Sequence, residues 1–238
     1  MKVRRMITVG REKIYHIFVI MSLASLSVII PLAVFRNLAA VFLLYHIGMC
    51  IAVPLIDLLA VKRLSLAEVI NFLGFNKANF KSSVQVGLLH GFVFLSLTIG
   101  SFFVMKDVFL ASDTAASLEQ WGVSREAKAA KLAVFIIMVL FNGIVEEVFW
   151  RGYTYGKIGN QLSKWAAIFV VTSFYTSYHL ATVLAFFKIS FVGLLMILFI
   201  FTAGLIWGWM RYHFQSTWAS AIGHTLVTIG YMTVYLLL

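Results

Sequence analysis

The chain has 238 residues, of which 62% are hydrophobic and only 12% charged, about half the charge of a soluble domain. With several apolar runs near twenty residues long, it reads as an integral membrane protein and not as a water-soluble enzyme or a disordered chain. The net charge of +10 does not mark a nucleic-acid binder, because the basic residues are scattered between apolar runs and form no basic face with interleaved aromatics.

Lipid offers no partner to backbone polar groups, so each span is predicted to be a helix. In chain order seven spans are expected, near Ile14–Phe35, Leu38–Leu59, Val84–Met105, Leu132–Phe149, Trp165–Leu180, Phe191–Trp209 and Trp218–Leu238. The N-terminal "MKVRRMITVGREK" and the run after it read as a signal anchor: the apolar part is too long for a cleavable signal, and no small-x-small site follows. Between spans two and three, "RLSLAEVINFLGFNKANF" is too polar to cross and is expected as a helix on the cytoplasmic surface. Lys106–Lys131 is the longest polar segment and is expected as a mobile external loop. The fifth span is short and carries a histidine near its end. It needs shielding by neighbours or a water-filled cavity, and Ala181–Ser190 either extends it or dips back into the membrane. Trp150, Trp165, Trp209 and Trp218 are expected in interfacial belts.

Thirteen Lys/Arg fall on the N-terminal side of this arrangement and six on the other. The bias places the N-terminus in the cytoplasm and, after seven spans, the C-terminus outside. Two prolines, no linker-like stretch and no internal repeat predict one transmembrane domain over residues 1–238. The lone Cys50 sits in an apolar run and reads as a core residue.

The chemistry is concentrated in "GIVEEVFWRGYTYG", residues 143–156. An acidic residue at the centre of a span costs about 2.5–3.5 kcal/mol and needs a reason to be there. Glu146 and Glu147 are expected near the cytoplasmic end of span four. Glu147 and Arg151 have the i, i+4 spacing of a helical salt bridge. Glu146 points about 100° away around the helix, so the arginine neutralises Glu147 and leaves Glu146 free. A desolvated carboxylate of that kind suits general-base work. His179, in "SFYTSYH", and His224, in "ASAIGHTLVT", are the histidines that complete a site, with Thr228 one turn beyond His224. His179 falls toward the far end of span five if that helix is straight, away from the other three. For His16, His46, His90 and His213 the reading is a helix-to-helix hydrogen-bonder. Asp57, near the end of span two, reads as an interfacial residue.

These motifs resemble the CPBP family, the CAAX prenyl proteases and the bacterial proteins linked to bacteriocin processing and immunity. "EEVFWRG" resembles the EExxxR motif. Tyr175 and His179 match an aromatic-xxx-His motif, with tyrosine in place of phenylalanine. His224 and Thr228 stand where the family has His and then Asn or Asp four residues on. The resemblance covers residues 132–230, the expected catalytic core. It implies a polytopic all-α bundle of about seven spans with a polar cavity opening toward the cytoplasm. It also implies an intramembrane endopeptidase in which Glu146 and His179 activate water. His224 then holds the oxyanion, with Thr228 as a substitute that lacks the amide's reach. Glu147 and Arg151 hold the helix in register, and Tyr175 supports the site.

Glu146, His179 and His224 also make a plausible zinc set, but the chain lacks HExxH. The sequence leaves the metal open and leans to water activated by glutamate. No GxGD pair, and no serine in a GxSx setting with a suitably placed histidine, is present to suggest another intramembrane protease. A transporter with a Glu/His ion relay is a rival, against which stands the absence of a repeat relating two halves. A non-catalytic scaffold, immunity or sensor protein of the same fold is the other. The expected partners are the bilayer and a membrane-associated protein or peptide substrate, with no nucleic acid. The expected location is a prokaryotic plasma membrane.

Overall fold

The computed structural model describes residues 13–77, 79–107, 119–120 and 128–237. The signal-anchor stretch before Lys13 and most of the Lys106–Lys131 loop lie outside the described residues. Among the described residues every regular element is a helix. Seven are long and apolar enough to cross a membrane. They are α1 (Ile14–Ala33), α2 (Leu38–Val61), α4 (Phe80–Val104), α5 (Lys128–Ile158), α6 (Lys164–Phe187), α7 (Phe191–Phe214) and α8 (Trp218–Leu237). A short α3 (Leu66–Phe72) joins α2 to α4. The protein is a polytopic all-α bundle.

Local chemistry sets several helix starts. Ser163 accepts a hydrogen bond from Ala166 N–H to start α6, and Ser190 accepts one from Gly193 N–H to start α7. Ser65 and Glu68 form a reciprocal capping box on α3. The two hydrogen bonds from Ser65 hold the Glu68 carboxyl below its usual range.

Several expectations change. First, α5 does not stop at Phe149 but continues to Ile158. The polar residues of that extension are satisfied inside the bundle: Arg151 by Glu147 and Lys157 by Asp57 at 2.6 Å. Glu146 and Glu147 therefore lie well inside the span and not near its end. Asp57 is the anchor of that lysine and accepts from Tyr153 Oη at 3.1 Å as well, so it is more than an interfacial residue.

Second, α6 is not short. It continues through Ala181 to Phe187, so the segment after His179 extends the helix. Third, Trp150 is not in an interfacial belt. It is fully buried, and its Nε1 donates to Tyr45 Oη at 2.8 Å.

The linker helix α3 also departs from a simple surface helix. Its far end is inserted into the bundle. Phe72 and Leu73 are buried against Gly156 and Gly152 of α5. The chain then turns at Gly74, whose φ of 81° favours glycine. Thr217 Oγ1 donates to Leu73 O at 2.6 Å and Thr217 N–H to Gly74 O at 2.9 Å. Arg211 Nε donates to Arg151 O at 3.0 Å. These bonds fasten α3, α5 and the α7–α8 connection together, and α8 starts from a buried turn.

In the interior α8 lies along α4, α6 pairs with α7 and α1, and the middle of α5 packs on α8. Small residues allow this closeness. A Cβ on Gly143 would stand 2.6 Å from Thr225 N, so the α5–α8 crossing depends on a glycine one turn before Glu147.

Candidate active site

That crossing brings the two carboxylates of α5 against His224 of α8. Glu147 Oε1 accepts from Arg151 Nη1 at 2.8 Å and lies 3.2 Å from His224 Nδ1. A carboxylate only accepts, so the Nδ1 proton is assigned from this contact, and His224 Nε2 is the nitrogen left to face Glu146 Oε2 at 3.8 Å. Glu147 therefore does more than keep α5 in register, because it also orients the histidine. Trp207 stacks on the same ring with centroids 4.3 Å apart.

Arg151 is fully buried. Its Nη2 donates to Gly204 O at 3.1 Å, and its guanidinium lies over Tyr175 at 4.5 Å and Trp207 at 5.2 Å. Gly204 leaves room for this, since a Cβ there would sit 3.3 Å from Arg151 Nη2. Tyr175 thus forms one wall of the arginine's pocket.

Glu146 makes no ion pair with Arg151. Its Oε2 accepts from Tyr178 Oη at 2.6 Å, and its Oε1 stands 3.8 Å from His46 Nε2. His46 is 2.9 Å from Asn142 Oδ1, and Asn142 Nδ2 donates to Tyr231 Oη at 3.1 Å. The expectation that His46 bonds between helices holds, but it also borders the free carboxylate. Sequence reasoning assigned it no place there. Tyr178 was missed altogether, although it stands one residue before His179 and three after Tyr175 on the same helix.

His179 stacks on Tyr178 with centroids 4.1 Å apart, and its Nδ1 lies 2.9 Å from Tyr175 O. A carbonyl accepts, so Nδ1 donates and Nε2 keeps its lone pair. His179 lies within the long α6 and reaches the other groups through its neighbours, Tyr175 lying against His224 and Tyr178 bonding Glu146. Thr228 is fully buried one turn after His224, with its hydroxyl beside Tyr231.

The site is largely screened from solvent by the described residues. Glu146 is 3% exposed, His224 2% and Thr228 0%, while His179 is partly exposed. As for a metal, among the described residues no group of three or more His, Cys, Asp or Glu side chains is placed to hold one. The Nδ1 atoms of His179 and His224 are taken by Tyr175 O and Glu147. Both histidines thereby keep an Nε2 lone pair, the arrangement that metal-bound histidines share.

Residues 128–230 match the model of a family described as Type II CAAX prenyl endopeptidase Rce1-like. No curated protein and no solved structure matches the chain. The matched segment contains Glu146, Glu147, Arg151, Tyr175, His179, His224 and Thr228, and the match agrees with the resemblance to the CPBP and CAAX proteases carried by those residues. The likeness to the Rce1-like, type II CAAX endopeptidase family thus spans nearly all of α5 to α8, which is less than half of the chain.

Proposed function

We propose that the protein is an intramembrane endopeptidase that hydrolyses a peptide bond near the terminus, or in the membrane-proximal segment, of a membrane-associated protein or peptide. The observation that carries this is the division of labour between two adjacent glutamates. Glu147 is paired with Arg151 and His224, while Glu146 is left with a phenol and two histidine edges.

Glu146 takes a proton from water. His179, with its Nε2 lone pair free, accepts a hydrogen bond from the water's other O–H and orients it. The water oxygen bonds to the scissile carbonyl carbon, and the C=O pair moves onto oxygen. His224 holds that oxyanion by donating from Nε2 when that nitrogen carries a proton, with Nδ1–H held by Glu147 on the other side. Glu146 then returns the proton to the leaving nitrogen as the C–N bond breaks. Each oxyanion donor is worth about 2.7–4 kcal/mol in such sites. A prenylated C-terminal peptide, a bacterial leader peptide and a sorting segment are all substrates of the right class.

The test is a termini-directed peptide survey of host membranes at equal protein level. Peptide ends present with wild type are expected to vanish with Glu146→Gln. Identical surveys, with a phenotype that only deletion produces, replace catalysis by a scaffold role. Solute flux abolished by Glu146→Gln makes it a transporter. Stoichiometric zinc lost together with activity replaces glutamate-activated water by a metal mechanism.

A further inference from the structure

Thr228 occupies the position where the resemblance expects an amide beside the oxyanion. Its hydroxyl is buried beside Tyr231, and a threonine has no NH₂ to extend toward a substrate. The neighbouring amide is committed elsewhere, since Asn142 bonds Tyr231 and His46. His224 thus needs a second donor from another helix.

α6 presents one. Tyr178 Oη is 2.6 Å from Glu146 Oε2, and His224 Nε2 is 3.8 Å from that same oxygen. A water deprotonated by Glu146 sits against this carboxylate, and the carbonyl it attacks sits against the water. Donors that flank the carboxylate are therefore close to the carbonyl oxygen too. The Tyr178 ring is held on several sides. Trp150 stacks on it at 6.1 Å and Tyr45 lies at 4.9 Å. Tyr175 lies at 5.6 Å and His179 at 4.1 Å. A donor fixed in this way costs no reorganisation when charge develops.

We propose that Tyr178 is a catalytic residue whose hydroxyl donates to the oxyanion beside His224, in place of the amide absent at position 228. The inference rests on Glu146 being the base. In the resting state the phenol O–H donates to the Glu146 carboxylate. When Glu146 takes the water's proton it becomes a neutral acid and a weaker acceptor. At that moment the carbonyl oxygen gains the electron pair of the C=O bond. The Tyr178 hydrogen bond moves to this new anion, and its proton stays on the phenol. As the C–N bond breaks, the pair returns to C=O, Glu146 gives its proton to the nitrogen, and Tyr178 turns back to Glu146.

The experiment measures how fast the Glu146-dependent peptide ends appear in membranes carrying equal amounts of each variant, with detergent melting curves for every variant. Tyr178→Phe keeps the ring and is expected to slow the reaction about 10²–10³-fold without lowering the melting temperature. Adding Thr228→Asn to Tyr178→Phe restores the missing amide and is expected to recover roughly tenfold or more. With Glu146→Gln inactive, a Tyr178→Phe rate within about threefold of wild type overturns the inference alone. So does a slow, well-folded Tyr178→Phe that Thr228→Asn fails to recover, which confines Tyr178 to holding Glu146. Activity surviving in Glu146→Gln removes the base, and the inference falls with it.

Discussion

Arg151 illustrates how a buried charge is kept in this bundle. It is fully enclosed, and its guanidinium meets a carboxylate, a carbonyl and two aromatic faces. Replacing it with Met leaves Glu147 with a charge that His224 alone must balance. Breaking one side of a buried pair costs about 3–5 kcal/mol, so Arg151→Met is expected to lose a large part of the protein's stability in detergent melts. Arg151→Lys should lie between the two, because an ammonium cannot bridge Glu147 and Gly204 O with a planar fork. A Met variant that melts like wild type rules out this role. The pair itself was legible in the sequence, since i, i+4 spacing puts Glu147 and Arg151 on one face. The second partner of Glu147 was not, because His224 is 77 residues away.

The decisive contact between elements is the crossing of α5 and α8. Glutamates on one helix meet a histidine on the other only because Gly143 lets the backbones approach. Gly143→Val places a branched side chain against the Thr225 backbone. Overpacking of this kind typically costs about 1–3 kcal/mol. The expected result is a lower melting temperature together with reduced peptidase activity, as His224 moves away from Glu146. Unchanged activity in a destabilised Gly143→Val would show that the crossing sets stability but not the site. Length is the other feature of this scale. A hydropathy reading stops α5 at Phe149, before Arg151 and Lys157, because it counts their charge. It cannot see that Glu147 and Asp57 neutralise them inside the fold.

Across the whole molecule, that same burial alters the charge argument for orientation. Arg151, Lys157 and Arg211 are buried and do not sit in loops. Removing these three from the thirteen leaves ten Lys/Arg against six, so the sign of the bias is kept. The N-terminus and the α2–α4 connection are expected in the cytoplasm, with the α6–α7 connection outside. The lone cysteine makes this easy to test, because Cys50 is buried and can be replaced by Ser. In that background an impermeant maleimide applied to intact cells should label Ile189→Cys, which is 96% exposed in the native chain, and spare Lys77→Cys. The reverse pattern inverts the topology.

Sequence alone determined that this is a seven-span helical membrane protein, that two carboxylates and an arginine share one turn, and that His179 and His224 are the histidines to watch. Such features depend on composition and on spacing within one helix, which a linear reading resolves. Tertiary structure decided which carboxylate the arginine shares with His224, how deep Glu146 lies, and that His46 and Tyr178 stand beside it. Those contacts join positions 32 and more residues apart. They depend on the angle and closeness at which helices cross, and those are set by packing of small and aromatic residues that no single segment encodes.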